Sequence, residues 1–342
     1  MRGERDMLGE MELGDVPYGI HTARALDNFS LGHKCVSIRL MRAIATVKKA
    51  AALTYAEIDV EKRERYQAIA AACDDIIAGR ADAFLRTEAL QGGAGTSSNM
   101  NVNEVAANIA LAKLGRDYGA YGYIHPIDDV NRGQSTNDVY PTALRICSIE
   151  LVRLLADELS ALQTSLQEKE NEFSDIKKLG RTELMDAVGI TLGEEFGAYA
   201  QAISRDRWRI YKVEERLRQI NLGGTAVGVA TASERKYRFR VLEILRGLTG
   251  YGLAAAEYPM DITQNNDVFV EVSGLLKSLA VNLMKIAGDL RLMNSGPHGG
   301  LGEIRLAALQ SGSSIMPGKV NPVIPEMVMQ VSMRVIANDQ AV

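Results

Sequence analysis

The sequence predicts an all-α protein, in which an N-terminal helical domain is followed by a bundle of long helices. From Tyr140 onward, apolar side chains recur every three, four or seven residues in three separate segments. This spacing places them along one face of a helix, and stripes of this length are typical of helices packed side by side. We therefore assign residues 1–138 to the N-terminal domain and residues 139–342 to the bundle.

The N-terminal domain begins with a charged tail, which Pro17 and Gly19 separate from a short helical segment. The Ala- and Lys-rich stretch Met41–Ala56 has the pattern of an amphipathic helix, and a second helix is predicted over Glu61–Ile77. The glycine-rich stretch QGGAGTSSNMNVNEVAAN then leads into a third helix. We expect that helix to begin near Val102, with three asparagines close to its start.

Each of the three long helices of the bundle has its own apolar stripe. The stripes comprise Leu151, Leu155, Leu159, Leu162, Leu166 and Phe173; then Phe196, Tyr199, Ile203, Ile210, Val213, Leu217 and Ile220; and finally Val268, Val272, Leu275, Leu279, Leu283, Ile286, Leu290 and Met293. A fourth helix is predicted from about Pro325 to the last residue. Stripes this long leave an open face on a single small bundle, so we expect an oligomer. The glycine-rich loop 221–231 is interpreted as architectural.

Composition and charge exclude several classes of protein. The net charge is −4, and no basic tract suited to nucleic acid or a membrane surface is present. No stretch has the roughly 20 apolar residues that cross a bilayer. The three cysteines and four histidines show no CxxC or HExxH spacing, which argues against a zinc site and favours a cytoplasmic protein with reduced thiols.

The loop Gly312–Pro322, with the sequence GSSIMPGKVNP, combines two hydroxyls, a cation and an amide between two prolines. Ser313 and Ser314 are candidates for a nucleophile or base, because the positive charge of Lys319 makes a hydroxyl proton easier to lose. Asn321 can donate to an oxyanion. A phosphate-binding loop is excluded, because five residues rather than four separate the glycines and a valine follows the lysine.

Three further blocks are rich in small hydrogen-bond donors. They carry Thr96 in GGAGTSSN, then Ser135, Thr136 and Asn137 ahead of a long helix, and Thr182 with Glu183 in GRTELMDAV. Donors at the start of a helix can bind a carboxylate, although the same residue types are also ordinary helix caps. Two sets of donors suit a substrate with two negative ends, so the blocks indicate a dicarboxylate.

The four blocks resemble the signature motifs of the aspartase/fumarase superfamily, whose members eliminate ammonia, water or an amine to release fumarate. The resemblance covers essentially the whole chain and implies a role for each candidate. Ser313 is implied to be the general base; Thr96, Ser135 and Thr136 hold the carboxylate that becomes an enediolate; Lys319 and Asn321 hold the other carboxylate; Asn137 and Thr182 face the leaving group; and Ser314 belongs to the substrate-binding set. Arg24 is expected near the substrate by the same resemblance, with a surface salt bridge as the alternative.

The resemblance also implies a homotetramer, in which the long helices form a shared core and each active site is built from three chains. Relatives continue beyond the fourth helix into a small C-terminal domain, so the chain is expected to be truncated. No organic cofactor and no metal ligands are expected. Activation by Mg²⁺ at an unassigned site is left open.

A carboxylate at Glu183 would attract an ammonium group, unless the side chain simply faces solvent. We therefore expect a carbon–nitrogen lyase that converts L-aspartate to fumarate and ammonia. A fumarate hydratase, or another fumarate-releasing lyase of the superfamily, is the alternative within the same class. A helical assembly scaffold without activity is the alternative outside it.

Overall fold

A computed structural model describes residues 1–32, 34–231 and 233–342, whose contacts form two compact units. Unit 1 comprises Met1–Glu150 and Leu217–Asn266, and unit 2 comprises Leu151–Arg216 and Asp267–Val342. The domain boundary after residue 138 stays a prediction. Within the described residues, no helix combines the length and the apolar character needed to span a membrane.

Unit 1 is mainly helical and contains two short β-pairings. Its elements are β1 (Arg2–Asp6), β2 (Gly9–Leu13), α1 (Ile20–Asn28), α2 (Ile38–Ile58), α3 (Arg63–Ile77), α4 (Thr96–Lys113), the first part of α5 (Thr136–Glu172), β5 (Gln219–Ile220), α7 (Arg235–Thr249), β6 (Ala254–Ala255) and α8 (Pro259–Gln264). Short 3-10 turns lie at Val60–Lys62 and Asp82–Phe84, and a π-helical turn lies at Pro126–Val130. Strands β1 and β2 form an antiparallel hairpin, and β5 pairs with β6 in parallel.

The core of unit 1 forms around α2, which packs against α3, α4 and α7. Met41 and Ile44 on α2 are completely buried. At the C-terminal end of the same helix, the Tyr55 ring stacks on Tyr66 at a centroid distance of 5.5 Å and on Tyr237 at 4.9 Å. These contacts make α2 the central element of unit 1.

Unit 2 consists of long helices and one hairpin. Its elements are the remainder of α5, β3 (Lys177–Thr182), β4 (Met185–Thr191), α6 (Leu192–Leu217), α9 (Asp267–Met293) and α10 (Val323–Asp339). Helix α9 packs along α10, and a two-pronged Arg153–Glu214 ion pair joins α5 to α6. The predictions of a helical fold and of its long helices are confirmed.

Several local predictions are wrong. Helix α4 begins at Thr96 rather than near Val102, because Gly95 takes a left-handed conformation (φ 91°) and starts the helix there. The expected charged tail is the β1–β2 hairpin. The β3–β4 hairpin, which carries Thr182, was not predicted. Ile220 lies in β5 rather than in the second long helix, helix α7 was not predicted, and α10 ends at Asp339 rather than at the last residue.

Candidate active site

The candidate residues fall into two groups, one in each unit. Arg24, Thr96, Ser135, Thr136 and Asn137 lie in unit 1. Thr182, Glu183, Ser313, Ser314, Lys319 and Asn321 lie in unit 2. Their roles toward a substrate stay predictions.

The first group is organised around the start of α4. Thr96 is the first residue of this helix, and its Oγ1 donates to the Gly93 carbonyl at 2.7 Å. Gly95 packs against the Tyr140 ring so closely that an added Cβ would lie 2.5 Å from a ring carbon. The start of α4 therefore requires glycine at this position, both for its backbone conformation and for space.

The three asparagines expected near the start of α4 lie inside the helix and are buried. The Nδ2 of Asn99 donates to Asn131 Oδ1 and to Thr136 Oγ1, both at 3.1 Å. Asn103 donates to the same Asn131 oxygen at 3.1 Å. A buried hydrogen-bond network thus joins α4 to the start of α5, and it holds the hydroxyl of Thr136, one of the predicted carboxylate ligands.

Lys48 completes this network, although the sequence analysis did not identify it. The side chain is fully buried, and Nζ donates to Asn131 Oδ1 at 2.6 Å and to Gln134 Oε1 at 2.9 Å. Burial lowers the pKa of Lys48 to about 7. A sequence signal existed, because Lys48 lies four residues after the buried Ile44 and so on the apolar face of the predicted helix.

Asp138 fixes the segment that carries the second donor block. Its Oδ1 accepts the backbone N–H of Ser135 at 2.9 Å, and its Oδ2 accepts those of Gly223 and Thr225 at 3.0 and 2.9 Å. Burial raises the pKa of Asp138 to about 6. These bonds join the 221–231 loop to the start of α5, in keeping with the architectural role predicted for that loop.

The side chains of the second block are also held by local bonds. Ser135 Oγ accepts the Asn137 backbone N–H at 3.1 Å, which is a helix-capping arrangement. Asn137 Nδ2 donates to the Ala226 carbonyl at 2.8 Å. Asn137 is nevertheless exposed and Ser135 is partly exposed, so the amide of Asn137 and the hydroxyl of Ser135 remain accessible to a small ligand.

Arg24 takes part in a salt bridge. Its Nε and Nη2 contact the two carboxylate oxygens of Asp6 at 2.8 and 2.9 Å, and Nη2 also donates to the Gly9 carbonyl at 3.3 Å. The bond to Arg24 lowers the pKa of the Asp6 carboxyl. The guanidinium thus anchors α1 to the β1–β2 hairpin, as the alternative interpretation expects, while its predicted role near the substrate stays a prediction.

In unit 2, Thr182 and Glu183 lie at the tip of the β3–β4 hairpin. Thr182 pairs with Met185, so Glu183 and Leu184 form a two-residue turn, with φ values of 52° and 67°. Such a turn requires positive φ at both positions and usually contains Asn or Gly, so two ordinary residues here carry backbone strain. Both candidate side chains are exposed and help to line an open cavity of about 520 Å³.

The loop that carries Ser313 is closed on itself. The Gly312 N–H donates to the Lys319 carbonyl at 2.8 Å, and Asn321 Nδ2 donates to the Gly312 carbonyl at 3.3 Å. Ser314 and Lys319 are exposed, with side chains free to reach a ligand. The loop therefore brings four of the predicted residues of unit 2 together around one turn of the chain.

Two backbone N–H groups point at the hydroxyl of Ser313. Those of Ile315 and Met316 lie 3.2 and 3.1 Å from Ser313 Oγ. Donors aimed at an oxygen stabilise its anionic form more than its neutral form. The loop geometry therefore favours a serine oxyanion, which is the form that can accept a proton.

Short donors at the starts of α4 and α5 are suited to binding anions. The family model described as "Lyase" matches residues 11–337. An aspartate ammonia-lyase of Helicobacter pylori is 45% identical over 345 residues, which cover 100% of this chain and 74% of that relative.

Solved structures agree with this match. A fumarate lyase:delta crystallin from Brucella melitensis, bound to cobalt, has a TM-score of 0.96 at 48% identity and covers 99% of this chain and 75% of that chain. A recombinant class II fumarase from Schistosoma mansoni has a TM-score of 0.95 at 30% identity and covers 99% of this chain and 74% of that chain. The chain belongs to this lyase family, the aspartase/fumarase superfamily.

Proposed function

We propose that this protein is an aspartate ammonia-lyase, which eliminates ammonia from L-aspartate to give fumarate. The observation that carries the proposal is the 45% identity, over the whole chain, to a relative with that activity in its name. The class II fumarase is only 30% identical over nearly the same span, which favours an amine over a hydroxyl as the leaving group. Fumarate hydratase activity is therefore the second candidate.

In the proposed mechanism, the Ser313 oxyanion accepts a proton from the carbon next to one substrate carboxylate. The electron pair of the broken C–H bond moves into that carboxylate and gives an enediolate. Collapse of the enediolate returns this pair to form the carbon–carbon double bond. The C–N bond breaks at the same time, and its own electron pair leaves with the nitrogen of the ammonium group, which departs as ammonia. The N–H groups of Ile315 and Met316 support this role, because they stabilise the oxyanion before it takes up the proton.

The remaining residues are proposed to bind the two ends of the substrate. The donors of unit 1, Thr96, Ser135 and Thr136, would hold the carboxylate that becomes the enediolate, since hydrogen bonds that strengthen with negative charge lower the barrier. Lys319 and Asn321, with Ser314 beside them, would bind the other carboxylate. Asn137 and Thr182 would face the ammonium group, and the carboxylate of Glu183 would attract it.

A homotetramer with active sites shared between subunits is also proposed. Large apolar side chains on the long helices of unit 2 support association, because Val270 on α9 and Val331 and Met333 on α10 are each more than half exposed. Apolar surface of this kind usually marks an interface. Light scattering of the purified protein measures the assembly directly.

A cytoplasmic location is also proposed, since the three cysteines show no CxxC spacing and favour a protein with reduced thiols.

We propose that catalysis needs no organic cofactor. In the part of the chain that the structure describes, His, Cys, Asp and Glu side chains form no group of three that could hold a metal ion. Turnover with and without added Mg²⁺, and with a chelator, tests activation.

The experiment is to incubate the protein with L-aspartate and follow fumarate by its ultraviolet absorbance, with malate as the second substrate. Ser313→Ala is expected to lower turnover by at least ~100-fold, the usual effect of losing a general base. Ser311→Ala is the matched control, because it removes a hydroxyl that lies directly before the loop and donates to the Ser313 carbonyl at 3.3 Å, while it retains the Ser313 hydroxyl and both of its N–H donors. Product from malate alone would identify a hydratase. Equal turnover by Ser313→Ala and the parent would contradict the serine base, and no turnover of any such substrate would favour a scaffold.

A further inference from the structure

The carboxylate of Glu303 holds two cations of the β3–β4 hairpin. Glu303 Oε2 accepts from Lys178 Nζ at 2.9 Å and from Arg181 Nη1 at 3.1 Å, while Oε1 accepts from Arg181 Nη2. Lys178 also donates to Glu195 at the start of α6. The carboxylate is thus bound by both prongs of a guanidinium and by an ammonium, a geometry that fixes direction as well as charge.

This cluster is partly shielded from water. The exposed fractions of the Lys178, Arg181 and Glu303 side chains are 9%, 22% and 18%. The bond to Arg181 lowers the pKa of Glu303, so the carboxylate is charged at neutral pH. Ion pairs at this burial are screened less than surface pairs, and loss of one partner leaves the others uncompensated.

Glu303 belongs to the connection that leads to the loop Gly312–Pro322, which carries Ser313 and is called the serine loop below. This connection, between the end of α9 at Met293 and the start of α10 at Val323, has no helix or strand. The N–H of Glu303 donates to the Met293 carbonyl at 2.8 Å, and the Leu306 N–H donates to Asn294 Oδ1 at 2.8 Å. Residues 302–306 are thereby attached to the C-terminal end of α9, and the serine loop begins six residues later.

The hairpin side of the cluster adjoins two other candidate residues. Arg181 directly precedes Thr182, and the strained turn at Glu183 and Leu184 follows. A turn with positive φ at two residues that are not glycine persists only where neighbouring contacts hold it. Within the described residues, the contacts that attach this tip to the rest of unit 2 include the two-pronged bond from Arg181 to Glu303.

We propose that Glu303 is a positioning residue, which ties the base of the serine loop to the hairpin that carries Thr182 and Glu183. The proposal rests on the proposed function, in which the loop supplies the base and the hairpin faces the leaving group. Glu303 takes no part in the proton transfer. It fixes the position of each segment within its own chain, and a small displacement of a segment that contributes to an active site costs a large factor in rate.

The test compares Glu303→Gln with Glu271→Gln as the matched control. Glu271 forms an ion pair with Arg216 at 3.1 Å in the same unit and is not among the predicted site residues. Glutamine keeps the shape of glutamate and removes its charge. We expect Glu303→Gln to lower kcat by about 10- to 100-fold with less than about threefold change in KM. Glu303→Asp, which retains the charge, is expected to recover part of the loss, and Glu271→Gln is expected to match the parent.

A second readout does not depend on turnover. Trypsin cleaves after Arg305 and Lys319, which lie in the connection and in the serine loop. In Glu303→Gln the connection loses its attachment to the hairpin, so cleavage at Arg305 is expected to be at least about fivefold faster than in Glu271→Gln. The two variants are compared when their melting temperatures are equal, so that a faster rate reports local opening rather than global unfolding. Combining Glu303→Gln with Arg181→Gln is expected to give no greater loss than the worse single variant, because both remove the same link.

Equal cleavage rates in Glu303→Gln and the control would overturn the proposal, as would an unchanged kcat. If the parent protein shows no turnover of aspartate, the proposed function fails, and the cleavage rates alone then decide whether Glu303 holds the connection. If Glu303→Gln does not fold, Glu303→Asp carries the comparison, since it preserves the ion pairs at a shorter reach.

Discussion

The buried Lys48 gives the sharpest test of the unit 1 network. Its ammonium is fully buried and bonds to the amide oxygens of Asn131 and Gln134, with no carboxylate among its hydrogen-bond partners. Burial lowers its pKa from 10.5 to about 7, while the charges that act on it come from Asp138 and Cys73. The perturbation is Lys48→Met, which keeps an unbranched side chain one atom shorter than lysine and removes the charge.

The direction of the pH dependence of stability follows from the protons that Lys48 binds in the folded and unfolded states. Between pH 7 and 10.5 the folded protein binds fewer protons at Lys48 than the unfolded chain does, so its free energy of unfolding rises with pH across this window. The slope is about 1.4 kcal/mol per pH unit at most, which amounts to about 2 kcal/mol between pH 7.5 and 9. Below pH 7 the charge is present in both states, and the full cost of burying it opposes folding.

The assay is urea unfolding of the parent and of Lys48→Met, followed by circular dichroism at pH 7.5 and 9 and at one protein concentration. The difference between the two free energies of unfolding is the measured quantity, so that other titrating groups cancel. Cys73 is one of these, because burial raises its pKa to about 12 and its titration opposes the trend above pH 9. Its pKa also depends on the charge of Lys48, so the comparison stops at pH 9. We expect the parent to gain about 2 kcal/mol on the variant over this interval. The same difference at both pH values would refute a buried, neutralising lysine.

Two backbone substitutions test the conformations that support the candidate residues, with opposite expected signs. Gly95→Ala places a side chain on a residue with left-handed backbone (φ 91°) and against the Tyr140 ring. Thermal denaturation is expected to show that the free energy of unfolding falls by at least about 2 kcal/mol. An unchanged melting temperature would contradict the geometry. Leu184→Gly removes an exposed side chain from a position with φ 67°. The free energy of unfolding is expected to rise by about 1 kcal/mol, which raises the melting temperature. A fall in the melting temperature would show that the turn is not strained.

The sequence predicted the long helices well, because their signal is local. Apolar residues such as Leu279 and Ile286 recur on one face of α9 and are buried there, whatever the rest of the chain does. The start of α4 was misplaced for the opposite reason. Asn99, Asn101 and Asn103 break the apolar pattern, and they are buried only because partners from distant segments accept their hydrogen bonds.

The candidate site was predictable from its motifs but not from its contacts. Lys48 meets Asn131 and Gln134 across 83 and 86 residues of sequence, and no short-range pattern reports such a meeting. The β3–β4 hairpin was also missed, since Glu183 and Leu184 lack the Asn or Gly that marks a two-residue turn. Strain at a predicted functional position hides the element from sequence rules that assume unstrained backbone.

The two groups of candidate residues differ in how firmly they are held, and this difference bears on the order of events in catalysis. Thr136 is fixed by a buried network, whereas Ser313 sits in a loop whose bonds are almost all internal and whose neighbours Ile315 and Met316 are exposed. In the proposed mechanism, the donors that stabilise the enediolate must be in place before charge develops, and the serine base must approach after the substrate has bound. The rigid donors therefore suit capture of a carboxylate, and the self-contained loop can move as a body without losing the N–H groups that keep Ser313 ready to accept a proton.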